Sequence, residues 1–273
     1  MTRDEIITQV SQLLGDLLLE GSVDTADRTY IADTDLVFDL TNRLKGKEVY
    51  FLVGTNPNMG EVRAIKSYGV GTLEVTPSLS VAPTTGQPYH IYEHFRYKDY
   101  QRTIEESVRQ ARERYLIDME ATLALIATAY EYCVPSGFRY VHDIWVVPSS
   151  SVPTSVDYAD QDSAFRLPRN SWQVKAQVSG SRVIAFDPRI VDLDDWNEET
   201  IRVMGQRRPA ELGATQSCEI PEGYVINKSL AMLALRRIGE GPKWPQMFGY
   251  YASEASRLER QINTSRRSNS VEV

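Results

Sequence analysis

Apolar and polar positions follow two different periods along this chain, and the changes of period mark its elements. Thr2 and Glu5 have the spacing of a capping box, and Ile6, Val10, Leu13 and Leu17, flanked by Ile7, Leu14 and Leu18, recur at helical intervals as far as Gly21. That pattern predicts an amphipathic first helix. From about Tyr30 to Phe95 the period shortens to β-prone runs at Glu48–Val53, Glu61–Ser67, Thr72–Val75 and Tyr89–Tyr92, separated by turn chemistry such as Asn56-Pro57-Asn58 and Gly69-Val70-Gly71. The spacing predicts a small antiparallel barrel or sandwich. Tyr97, Tyr100, Ile104, Val108, Ala111 and Tyr115 then restore a helical stripe, with Glu105 set to meet Arg109 on the charged side.

The stretch Ala121–Val134 fits two readings. Leu123, Leu125, Ala127 and Ala129 alternate as in a strand, while its Leu, Ala and Met content also suits a helix; we favour strand. Phe138–Val147, Trp172–Val178, Val183–Phe186 and Ile201–Met204 read as strands, with Ser179-Gly180-Ser181 as a hairpin turn. Ser and Pro crowd Pro148–Ser155, and the polar run Asp157–Asp162 extends it into a long exposed loop. Pro221 opens a helix marked by Val225, Leu230, Leu233 and Ile238 and closed by Gly239. Pro245 opens the final helix, whose Met247, Tyr250, Tyr251, Leu258 and Ile262 fall near one face.

The expected class is therefore α+β: a helical core of four helices, a small antiparallel β-barrel or sandwich insertion, and a second β-rich region. Residues 1–29 and 96–120 supply the first and central helices, 30–95 the insertion, and 121–220 the second β-rich region with its loop near 148–163. Residues 221–262 form a helix pair that joins the core, and 263–273 a flexible tail. In this scheme Ile6, Leu13 and Leu17 pack against Ile104, Val108 and Ala111, with the helices near Leu233 and Leu258 completing the core.

Composition narrows the function. The 273 residues are 42% hydrophobic and 25% charged, an ordinary globular mixture with length for one or two domains. Thirty Lys and Arg against thirty-seven Asp and Glu give a net charge of −7, which disfavours broad capture of nucleic acid or anionic lipid. Cys133 and Cys218 are too isolated for a structural zinc site. The start, Met1-Thr2-Arg3-Asp4-Glu5, is acidic where a signal peptide is basic, and Ala121–Tyr130 is too short to span a bilayer, so a cytoplasm-like compartment is expected.

Candidate chemistry is sparse. His90 and His94 have metal-ligand spacing only on a helix; on the strand read here four residues span ~13 Å, too far for one ion. His142 has no nucleophile motif to serve. Gly54 and Gly60 have the spacing of a phosphate loop, but Glu61 stands where the Lys belongs, so a hairpin is the better reading. Asp192, Asp194, Asp195, Glu198 and Glu199 lack the glycine and terminal Glu of a calcium loop, and Trp196 points to a pinned turn. Gly-x-Ser-x-Gly and His-Glu-x-x-His motifs do not occur. No catalytic residue, cofactor or metal ligand is expected, and the chain reads as a non-enzyme.

Several segments have the texture of phage structural proteins: Gly46-Lys47-Glu48-Val49-Tyr50-Phe51, Gly60-Glu61-Val62-Arg63-Ala64-Ile65, Gly71-Thr72-Leu73-Glu74-Val75-Thr76-Pro77, Ala82–Tyr89, Val203–Leu212 and Glu219–Val225. With the order helix, β-region, charged helix, β-region and helix pair, the chain resembles the head-to-tail adaptor (connector or neck) proteins of tailed bacteriophages. The resemblance implies a structural virion protein, made in the host cytoplasm, forming a homo-oligomeric ring, commonly a dodecamer. Such a ring sits between the portal protein and the tail or other neck proteins, and DNA passes its lumen without sequence-specific binding. A repelling, acidic wall suits that passage. It also implies a portal or subunit interface on the last helix and tail, for which Trp244, Phe248, Tyr251, Arg257, Arg260, Arg266 and Arg267 are the candidates, the tail either docking or fraying. The alternatives are a tail or baseplate binding module and a carbohydrate-active tail enzyme using acidic residues; no membrane partner is expected.

Overall fold

The computed structural model describes residues 1–36, 41–52, 58–112, 114–126, 128–147, 165–177, 180–193, 199–213, 215–262 and 271–272. They divide into two compact units: Met1–Ala111 with Ala210–Ile262, and Arg112–Pro209 with Asn263–Val273. The architecture is mixed, with four long helices and three antiparallel sheets.

In the first unit, α1 (Arg3–Leu14) starts on the expected capping box: the Glu5 amide donates to Thr2 Oγ1 at 3.4 Å and the Thr2 amide to Glu5 Oε2 at 2.7 Å. It stops at Gly15, whose φ of +66° lets its own amide reach the Gln12 carbonyl and the Asp16 amide reach Ser11. The helix therefore ends well before Gly21. Leu17–Ser22 instead form strand β1, because apolar residues at consecutive positions satisfy a strand as well as a helix and the Gly15 turn decides between them. The expected core changes with it: Ile6, Ile7, Val10 and Leu14 are buried, whereas Leu13 is 47% exposed and Leu17 belongs to the sheet.

The other long helices of this unit are α3 (Tyr97–Arg112), α4 (Glu222–Arg236) and α5 (Lys243–Ile262), after a single turn, α2 (Thr41–Leu44). The Cys218 amide donates to the Met1 carbonyl at 2.8 Å, so α1 and α4 start side by side. Asp99 near the start of α3 pairs with Arg236 at the end of α4 at 3.1 Å, and Ser107 meets Ser229 at 3.1 Å midway, so these two run antiparallel. Lys243 Nζ, at the start of α5, donates to the Leu14 carbonyl at the end of α1 at 2.8 Å. α4 lies at the centre, with Tyr224, Val225, Leu230, Leu233 and Ala234 buried, and α5 packs along it. Ser107 and Ser229, both fully buried, are the small residues at which α3 meets α4.

The seven-stranded sheet of this unit comprises β1, β2 (Thr25–Ala26), β3 (Tyr30–Ala32), β4 (Glu48–Phe51), β5 (Val62–Gly69), β6 (Thr72–Thr76) and β7 (Pro88–Tyr92), in the order β1-β7-β4-β5-β6-β3-β2. Its two edge strands are neighbours in the chain. Between them Val23 donates to the Gln87 carbonyl at 3.0 Å and Asp24 to the Ala32 carbonyl at 2.9 Å, so one bent segment serves both edges, although no ladder joins β1 to β2. Val49, Phe51, Ile65, Leu73, Tyr89 and Ile91 fill the core of this sheet. Gly21 is required by close approach: a Cβ there would meet the Tyr89 ring and hydroxyl at 2.6 Å and collide with the Asp33 carboxylate that the same hydroxyl engages at 2.7 Å.

The second unit carries β8 (Ile117–Ala124), β9 (Glu131–Cys133), β10 (Tyr140–Val147), β11 (Phe165–Arg166), β12 (Trp172–Ala176), β13 (Arg182–Phe186), β14 (Thr200–Arg207) and β15 (Val271–Glu272). One sheet has the order β11-β10-β14-β8 with β15 also on β10; the other is β12-β13-β9. Val141, Ile144, Ile201 and Val203 of the first share a core with Ile184, Phe186 and Trp172 of the second. The ambiguous stretch is two strands, β8 and β9, and residues 117–120 belong to β8 rather than to a central helix, since Ile117, Met119, Ala121 and Leu123 alternate inward along it. Gln177 and Ser181 close the β12–β13 hairpin through a 2.8 Å hydrogen bond, with Gly180 at a φ of +84°. The expected loop at 148–163 lies outside the described residues, as does 263–270, whereas 271–272 of the expected flexible tail are paired in β15.

Burial assigns opposite weights to two leucine-like positions one helical repeat apart. Ile6→Ala should cost roughly 2–5 kcal/mol by cavity formation, while Leu13→Asp should stay within about 0.5 kcal/mol. Urea melts of the two variants check this, and a large loss at Leu13 would show that its exposed face is covered.

Candidate functional site

The interface candidates on α5 take up different positions. Trp244 is turned inward at 6% exposure, its ring 5.9 Å from Phe95 and 6.1 Å from His94, with the Arg237 guanidinium 5.5 Å and Lys243 Nζ 5.2 Å from its centre. It anchors α5 within its own unit. Phe248 and Tyr251 are half-buried on the side of α5 that packs against α4. Arg257 and Arg260 are exposed; Arg257 holds Glu254 through Nε at 3.0 Å and a terminal nitrogen at 2.8 Å. Arg266 and Arg267 lie outside the described residues. Tyr250, expected on the inner face, is 63% exposed and rests its ring edge on Tyr251 at 5.0 Å. Adjacent tyrosines are about 100° apart on a helix, so only one of the pair can face α4. The outer face of α5 thus presents Gln246, Tyr250, Ser253, Arg257 and Arg260.

A second cluster had no motif to announce it: a buried set of tyrosines and carboxylates within the first unit, where α1 and α3 meet β4 and β7. Asp16 receives the amides of His94 at 2.6 Å and Phe95 at 3.2 Å and the Tyr100 hydroxyl. Burial pushes its carboxyl above the usual range, and these three donors pull it back. Asp4 accepts from Tyr50 at 2.7 Å and from Tyr97 at 3.5 Å, and these two rings stack at 3.7 Å between centres. Burial pushes the phenols of Tyr50, Tyr92 and Tyr100 far above their ordinary values, so they stay protonated and can donate to the carboxylates. His90 is buried beside Tyr92, with the Glu20 carboxylate 3.6 Å from Nε2; burial pushes its imidazole below the ordinary value while Glu20 opposes. Asp16 is held by two amides and a hydroxyl and Asp4 by two hydroxyls, so the cluster joins the elements that carry these donors. No local signal marked Asp4, because partners 46 and 93 positions away leave no trace in local spacing.

The remaining candidates stay apart. His90 and His94 sit on β7 and just beyond it, in different surroundings, and His142 is buried in β10. The Glu61 amide donates to the Asn58 carbonyl and the Gly60 amide to Phe51, both at 3.0 Å, as a β4–β5 connection requires. Asp192 and Glu199 are described, but Asp194, Asp195, Trp196 and Glu198 lie outside the described residues. Among the described residues no group of three or more His, Cys, Asp or Glu is placed to hold a metal ion. No helix among them is long and apolar enough to cross a membrane.

Two outcomes check the cluster. Asp16→Ala orphans two amides and a hydroxyl and should cost about 3 kcal/mol. For His90 the folded-state value lies below the unfolded value of about 6.5, so the unfolded chain binds the proton first and stability falls as pH drops through 6.5, by up to ~1.4 kcal/mol per pH unit. Urea melts of the protein and of His90→Asn at about pH 7.5 and 5.5 should show a shallower pH dependence in the variant; equal slopes would remove His90 from the account. A comparison with protein-family models and with curated proteins finds no match.

Proposed function

We propose that this protein is a structural virion protein of a tailed bacteriophage, a head-to-tail adaptor whose copies form a ring at the neck, join the portal to the tail and let DNA pass. The observation that carries the reading is α5, a twenty-residue helix packed on α4 along one side and exposed along the other. That outer face has an aromatic ring at Tyr250 and cations at Arg257 and Arg260, the residue types that dominate interface cores. It lies on a helical core with a β-rich insertion, the arrangement expected of such adaptors. The net charge of −7 suits a lumen that repels a sliding polyanion, so DNA is a passenger and not a ligand.

Closure of the insertion into a small barrel belongs to the same proposal. Its support is the bend at Val23 and Asp24, through which one chain segment serves both edges of the seven-stranded sheet. A barrel leaves no exposed edge to pair indiscriminately in a crowded ring. Ring size follows the resemblance, commonly twelve, and the partners are further copies of the chain, the portal and the next neck or tail protein.

The test is a double charge reversal, Arg257→Glu with Arg260→Glu. The affinity between copies should fall about tenfold or more, the equivalent of ~1.4 kcal/mol in contact energy, read as loss of the ring in native mass and of the protein from virions, with the melting temperature unchanged. Normal incorporation would overturn the docking role of α5, and a wild-type protein that stays monomeric with its neighbours present would favour a tail or baseplate binding module.

A further inference from the structure

β10 is an interior strand with one edge wholly taken and the other shared. β14 pairs with it from Tyr140 to Val147. The opposite edge is covered at Trp145 and Val146 by β11, and the Leu167 amide extends that cover to the Ile144 carbonyl at 2.8 Å. At its other end Tyr140 and Val141 pair with Glu272 and Val271 of β15, which also lies beside β12. This seat is filled by a segment that arrives from elsewhere in the chain: α5 belongs to the first unit, β15 to the second, and eight positions, 263–270, connect them.

A two-residue ladder holds weakly. The hydrogen bonds it makes are of the same order as the backbone freedom lost in forming it, so the seat can be vacated and refilled. The connection can reach roughly 30 Å when extended, enough to take the strand to a second molecule. The ladder is identical whichever copy supplies the strand, so exchange needs no new surface. What tips the balance is proximity: once other contacts hold copies side by side, a neighbour's strand is present at an effective concentration comparable with the chain's own.

We propose that β15 is an exchange strand. In the assembled protein, residues 271–272 of one copy pair with Tyr140 and Val141 of β10 in the next, and the last copy returns its strand to the first. The occupant of the β10 edge is thus a second copy of this chain, in a contact that passes head to tail around the ring and returns to the first copy. This rests on the ring reading above and adds the contact that links adjacent subunits.

The test uses two chains, each carrying Cys133→Ser and Cys218→Ser, one with Tyr140→Cys and the other with Glu272→Cys. Register partners across an antiparallel pair lie within disulfide range. After co-expression and treatment with diamide, a covalent dimer containing both chains is expected, well above the like-with-like dimers of either chain alone. A single chain carrying both cysteines should give a ladder of linked multimers. An internally linked monomer without mixed dimers, or no linkage at all, would overturn the proposal.

Because Tyr140 is buried, a second variant decides independently of the cysteine pair. Val271→Pro removes a backbone donor from β15 and should lower the share of ring in native mass at limiting protein concentration, at an unchanged melting temperature. A ring share equal to that of the unaltered protein would overturn exchange. Mixed dimers from a protein that is absent from virions would leave exchange standing and remove the neck assignment, whereas a virion protein without mixed dimers would do the reverse.

Discussion

The buried carboxylate of Asp16 is the interaction on which the first unit turns. Asp16 stands between α1 and β1, and the two amides it binds, His94 and Phe95, stand between β7 and α3. A single side chain therefore fixes two helix–strand junctions at once, and the Asp16 carbonyl adds a bond from the Glu93 amide at 2.8 Å. Because β1 and β7 pair, the junctions also set the register between them. Burial penalises the charge, and its donors offset that penalty only while both junctions keep their shape. The acid thus specifies one geometry more than it adds stability.

Asp4 repeats the device one helical length away. Tyr50 from β4 and Tyr97 from α3 converge on it, so α1, α3 and the sheet are tied at both ends of α1. Between the ties, Ile6, Ile7, Val10 and Leu14 supply apolar burial. α4 fills the remaining space with Leu, Val and Ala, and α5 closes over it with Trp244 as the anchor. The inward turn of that ring leaves Tyr250, Arg257 and Arg260 as the outward residues of the same helix. The functional proposal and the fold therefore meet in α5, whose inner face belongs to the core and whose outer face is exposed.

The second unit relies on a different constraint, the continuity of antiparallel ladders. β10 and β14 pair over their full lengths with an irregularity between Val141 and Asp143, and Gly205 lies opposite, where a Cβ would meet the Phe138 ring at 2.6 Å. Arg112 donates to the Pro209 carbonyl at 2.9 Å, so the residues by which the chain enters and leaves this unit are held together. That clasp makes the unit an insertion in the helical core, which explains how α3 and α4 can be neighbours despite the hundred or so residues between them.

Sequence by itself determined the elements whose signals are local. The capping box at Thr2, the stripe from Tyr97 to Ala111, the turn at Gly180 and the favoured strand reading of the stretch from Ala121 are each written within a few neighbouring positions. The same locality explains the misses. Leu17-Leu18-Leu19 satisfies a helix and a strand equally, and only pairing with residues near Tyr92, seventy-odd positions away, makes it β1. Tyr250 and Tyr251 are alike in sequence, and the position of α4 decides which is buried. The joints at Asp16 and Asp4, the bend that links both sheet edges, and the seating of β15 on β10 were decided by tertiary structure alone, because hydrogen bonds between distant positions leave no periodicity to read.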